Sequence, residues 1–92
     1  MIDARISHIN SNSRLALADV GFGQALVIHF PADAQIDVGD QIQNLASGYF
    51  DVRCLNVSKR YEMAVTVLSE TLPSDLALFI VTEDEEPIAK VA

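Results

Sequence analysis

Polar and apolar residues alternate along much of this chain with a period of two. From Ile2 to Asn10, Ile2, Ala4, Ile6 and His8 fall on one face and Asp3, Arg5 and Ser7 on the other, with Ile9 out of step. Successive side chains of a strand point to opposite sheet faces, so this run predicts a half-buried strand. Asn10-Ser11-Asn12-Ser13 follows, a cluster whose short polar side chains bond local backbone and favour a turn. Arg14 to Val20 predicts a second strand with Leu15 and Leu17 towards the core. Gly21-Phe22-Gly23 predicts a reversal and the nearly all-apolar run Gln24 to Phe30 a third strand, completing an antiparallel meander.

Pro31 ends that run because it donates no ladder hydrogen bond. Ile36 to Gly39 reads as a short strand. Beyond it two readings stay open: a second strand piece after a Gly39-Asp40 turn, or one short helix near 40–47. In the helical case Asp40 is the cap, Ile42, Leu45 and Ala46 point inward and Gly48 is the stop. Tyr49 to Val57 alternates again, Ser58-Lys59-Arg60 turns the chain, and Tyr61 to Ser69 returns with Met63, Val65 and Val67 on one side. After the break at 71–75, Leu76 to Thr82 leans towards strand on the β-branched and aromatic Phe79-Ile80-Val81-Thr82, with helix the alternative. Glu83-Asp84-Glu85-Glu86-Pro87 opens a solvated acidic tail over 83–92. The expectation is a single all-β, mainly antiparallel domain over 1–82. Its five to seven strands close into a small barrel, OB-like or SH3-like, because closure removes exposed strand edges.

Composition narrows the class. A chain of 92 residues supports one core, and 50% apolar with 21% charged residues is a folded composition. One cysteine, Cys54, rules out an internal disulfide framework and a thiolate metal cluster. No apolar run reaches the roughly 20 residues of a membrane span, and no basic-then-apolar leader opens the chain, so the expected location is cytoplasmic, without a membrane. The net charge of −7 has the wrong sign for nucleic acid. Its distribution tempers that: residues 1–60 hold six acids and five bases, whereas 61–92 hold seven acids and Lys90 alone.

Little in the chain carries chemistry. Cys54 with His8 or His29 is the one cysteine–histidine option, but all three lie in strand-like runs, where a buried thiol or a hydrogen-bonded histidine is the ordinary occupant. There is no Gly-x-Ser-x-Gly elbow and no His-x-x-x-His or Cys-x-x-Cys spacing. Asp33, Asp37 and Asp40 lack the alternate spacing of a calcium loop, and Gly21-Phe22-Gly23 precedes a strand rather than a phosphate-binding helix. No catalytic, cofactor or metal residue is therefore assigned. The expected function is a non-catalytic protein-interaction or regulatory module with a protein partner of basic character. The alternative is a weak single-stranded nucleic-acid-binding domain of OB type, less favoured on charge. Arg14, Phe22, Tyr49, Arg53, Lys59, Arg60 and Tyr61 are the candidate ligand-facing residues, the mix of cations and aromatics that serves backbone attraction and stacking. Segment 76–82 is the candidate for pairing with a second copy.

Ile36-Asp37-Val38-Gly39-Asp40-Gln41-Ile42 resembles the apolar-x-apolar-Gly-Asp-x-apolar turn of small barrels, including S1-type domains of the oligonucleotide/oligosaccharide-binding fold. The resemblance spans about Ala4 to Ser69. It implies a three-strand meander, this turn, and a closing hairpin made by Tyr49–Val57 and Tyr61–Ser69. A second similarity is to PilZ-type barrels, which bind cyclic dinucleotides. Asp19-Val20-Gly21-Phe22-Gly23 lacks the serine and spacing of their Asp/Asn-x-Ser-x-x-Gly motif, and Arg5 lacks a partner arginine at the required offset.

Overall fold

The computed structural model describes residues 2–83. Its strands are β1 (Ile2–Asn10), β2 (Leu15–Gly21), β3 (Gln24–His29), β4 (Gln41–Leu45), β5 (Gly48–Asn56), β6 (Tyr61–Ser69) and the short β7 (Leu72–Pro73), followed by helix α1 (Ser74–Thr82). Two antiparallel meanders, β1–β2–β3 and β4–β5–β6, join at both margins, β1 to β4 and β3 to β6. The result is a closed six-stranded barrel with β7 added beside β3. The expected all-β barrel is what forms, with one more barrel strand than the five of an OB fold.

The meander residues serve two faces. Ala16 and Ala18 of β2 and Leu26 and Ile28 of β3 fill the barrel interior with Ile6, Ile42, Leu45 and Val67. Their neighbours Leu17, Ala25 and Val27 point outward and are buried instead beneath Ala77 and Val81 of α1, with Leu15 at the margin. Leu15 and Leu17 therefore do not face the interior as expected; the outer layer claims them. A strand covered on both faces has no polar side to show, which is why β3 reads as an unbroken apolar run.

Two bulges account for other departures. The β1–β2 register shifts between Ile6 and His8, which pairs His8 with Leu17 and Ile9 with Ala16. Cross-strand partners share a face, so His8 leaves the interior side and Ile9 packs against the inner core. The out-of-step Ile9 is thus the mark of a bulge. In β4, Ile2↔Leu45 and Ala4↔Ile42 set three steps against two, and Asn44 sits at φ 71°. That extra residue turns both Ile42 and Leu45 inward, so an i, i+3 spacing that imitates a helix belongs to a bulged strand. The helix considered near 40–47 is absent. Ile36–Gly39 is likewise loop and turn rather than strand, because its backbone is used to dock on β1: Gly39 N–H donates to Ile6 O at 2.7 Å and Ile6 N–H to Asp40 O at 2.9 Å.

Segment 76–82 is helical, not a strand. Pro73 stands at the N-cap position, Asp75 lies in the first turn where a carboxylate suits the dipole, and Ala77 and Val81 recur at i, i+4 on the buried stripe. This burial outweighs the strand preference of Phe79-Ile80-Val81-Thr82. Among the described residues no helix is long and apolar enough to cross a membrane. Glu83 is the last described residue, so the rest of the expected tail, 84–92, lies outside the described residues.

The β1–β2 and β5–β6 turns share one local solution, Asn-x-x-x-Arg. Asn10 and Asn56 are buried at strand ends, and each side-chain oxygen accepts a backbone N–H three residues on, from Ser13 at 3.4 Å and Lys59 at 3.1 Å. Arg14 and Arg60 close these turns at φ 58° and 60°. Asn10 Nδ2 also donates to Val81 O at 2.8 Å, which ties the last turn of α1 to the end of β1. Asn10→Ala is expected to cost about 2 kcal/mol, for the loss of this buried bond together with those Asn10 accepts from the turn. Urea unfolding checks this, and an unchanged midpoint would deny the bond its role in holding α1 to the barrel.

Candidate functional site

The seven candidate residues are spread over the barrel. Phe22 crowns the β2–β3 hairpin and Arg14 lies beyond the other end of β2. Tyr49 lies near the start of β5 and Arg60 in the turn after its end, most of the strand's length, about 23 Å, between them. Arg53 and Tyr61 do come together, in a surface cavity of about 280 Å³, but Asp33 and Glu62 line it with them. The Tyr61 hydroxyl accepts the Gln35 N–H and lies 3.2 Å from Gln35 O, which fixes the ring against the 30–40 crossover. Tyr49 and Arg53 alternate onto one face of β5, while Arg14, Phe22 and Arg60 lie in turns between strands.

Lys59 belongs to a polar cluster that the sequence did not reveal. Its Nζ lies 2.8 Å from Asp37 Oδ2 and 3.1 Å from Asp40 Oδ2. Asp40, only 6% exposed, accepts from Asn56 Nδ2 and from the Asp37 N–H, each at 2.9 Å. Asn56 Nδ2 also reaches Gln35 O at 3.1 Å. Burial, the largest single influence on Asp40, opposes its charge. The bonds from Asn56, the Asp37 backbone and Lys59 together outweigh it, and the carboxyl lies below its ordinary 3.8. Asp37 and then Asp40 push Lys59 upward, so the pair is ionised at neutral pH. The Gly39-Asp40 turn supplied a signal for this cluster, but its partners lie far along the chain, at Asn56 and Lys59.

Cys54 is buried within the inner core, and desolvation pushes its thiol up to about 11, so at neutral pH it is a protonated core filler. Among the described residues no three His, Cys, Asp or Glu side chains converge as metal ligands do.

The largest anomaly is apolar surface. Residues 76–81, Leu-Ala-Leu-Phe-Ile-Val, are apolar all round, yet α1 covers the barrel with one stripe only. Phe79 is 64% exposed, and Leu76 and Leu78 also face outward. Ser74 N–H donates to Gly23 O at 2.8 Å, which ties the start of α1 to the hairpin carrying Phe22. Phe22 is fully exposed at φ 58°, with Gly23 at φ 72°. Positive φ at both central residues is the type I′ pattern, where Asn or Gly is the favoured first residue and a bulky aromatic is strained. Reading the chain as strands located the segment 76–82 but hid which of its side chains face out.

No family model matches the chain, and no curated protein or solved structure matches it either.

The charge of the Asp40 cluster sets an acid limit. A carboxyl with a lowered folded-state pKa stabilises the fold above its unfolded value of 3.8, and this contribution is lost as pH falls through the folded value. Asp40→Asn is therefore expected to weaken the protein at neutral pH and to flatten the decline in stability below about pH 4. Urea midpoints across that range test it; parallel acid limbs in the two proteins contradict it.

Proposed function

We propose that this protein is a non-catalytic interaction or regulatory module that docks a partner protein on the outer face of α1 and the adjoining Phe22 hairpin. The exposed apolar side of α1 carries the reading. A helix that is apolar all round has a second surface to bury, and contiguous exposed apolar residues mark interaction sites. Phe79 and Phe22 are rigid aromatic anchors of the kind that dominate interface energetics. The retained strain at Phe22 supports the same reading, since an asparagine there would suit the turn better.

Charge selects the kind of partner. Asp75 and Glu83 bound α1, and Asp84-Glu85-Glu86 follow in sequence. Two copies would bring these acids together under a net charge of −7 each, whereas a partner with Lys or Arg beside an apolar patch gains attraction and orientation. This favours a basic heterologous partner over self-pairing through 76–82. The proposed location is the cytoplasm, where a lone thiol such as Cys54 stays reduced. Single-stranded nucleic acid has weaker support, since Arg53 and Tyr61 share their cavity with two carboxylates.

Affinity capture compares the wild type with the double variant Leu76→Ser, Phe79→Ser, whose fold is checked by circular dichroism. A basic protein retained by the wild type, lost with the double variant and released by salt is the expected outcome. Identical recoveries from both, or a monomer that retains nothing, contradict the proposal. Phe22→Asn separates fold from function: it is expected to raise stability by about 1 kcal/mol by relieving the turn, while weakening partner capture.

A further inference from the structure

The pairing that closes the barrel between β3 and β6 is short. β6 pairs with β5 along its whole length, from Asn56↔Tyr61 to Gly48↔Ser69. On its other side it pairs with β3 only at His29↔Thr66 and Ile28↔Val67. Beyond His29, Phe30 directs its N–H to Arg14 O at 3.0 Å and Pro31 has none to give, so the ladder with β6 stops there although the chain stays close enough for Pro31 to line cavities with Ala64. No strand among the described residues pairs with this edge from Tyr61 to Val65. Such an edge is a template for another extended chain.

Space lies beside it. A cavity of about 280 Å³ and another of about 360 Å³ adjoin, sharing Pro31 and Ala64. Ala64, with no side chain beyond Cβ, leaves the floor low. Asp33 and Glu62 line the first cavity with Arg53, and Asp51, which accepts from Thr66 Oγ1 at 2.6 Å, lines the second. Three carboxylates against one arginine make the groove acidic.

We propose that the open edge of β6 takes an extended basic peptide from a partner protein as an added strand, its lysine or arginine side chains reaching Asp33, Glu62 and Asp51. Backbone bonding supplies the recognition of extended conformation, and the carboxylates select for positive charge. This surface lies on different elements from the outer face of α1, so it stands independently of the docking proposed there.

The test uses the full chain and two synthetic probes, an alternating Lys-Val peptide and its Glu-Val counterpart, followed by amide NMR and hydrogen exchange. The lysine peptide is expected to shift and protect amides within 61–65, with affinity that falls as salt is added; the glutamate peptide is expected not to bind. Ala64→Lys, which fills the groove and adds a positive charge, is expected to weaken binding about tenfold or more. Leu76→Ser with Phe79→Ser leaves it unchanged. A thermal melt confirms the Ala64→Lys fold, and Glu62→Lys serves as the second variant if that fold fails. Absence of binding at low salt, equal binding of both peptides, protection elsewhere, or no effect of the groove variants overturns the proposal.

Discussion

A buried carboxylate, Asp40, holds the crossover that closes this barrel. The chain leaves β3 at His29 and enters β4 at Gln41, and everything between must be pinned across the barrel for β4 to lie against β1. Asp40 does this with three donors: the N–H of Asp37 in the crossover, Asn56 at the end of β5 and Lys59 in the following turn. Backbone bonds between 39–40 and Ile6 then fix the crossover to β1. A charge this buried is tolerable only when its partners are complete, so the cluster favours one arrangement of the two meanders over looser alternatives.

Side chains already used to close the barrel are not free to meet a ligand. Cations next to aromatics marked a candidate ligand face, but Lys59 is bound to carboxylates and Tyr61 is tied to Gln35. The surfaces left over are of two other kinds, the apolar side of α1 and an open stretch of strand edge on β6. Neither is needed to close the barrel, and both suit contact with another protein.

Much of the barrel was legible because alternation is local. β1, β5 and β6 show their faces within a few residues, and the meander and closing hairpin follow from the turns between them. The misreadings have long-range causes. His8 and the pair Ile42 and Leu45 mislead because a bulge adds a residue that no periodicity records. Leu17 and Val81 mislead because each is buried by the other's element, so neither outer strand face nor helix is legible until both are present. The exposure of Phe79 is a by-product of that docking and shares its invisibility.

Native-state hydrogen exchange on the wild type and Asp40→Asn tests the central claim most directly, namely that Asp40 holds the crossover closed. The account predicts that the amides of Ile6, Gly39, Asp40 and Val57, which carry the crossover's backbone bonds, lose protection together in the variant. Amides at the β2–β3 pairing should keep theirs relative to global unfolding. Uniform loss across the barrel, or unchanged protection at those four positions, would contradict it.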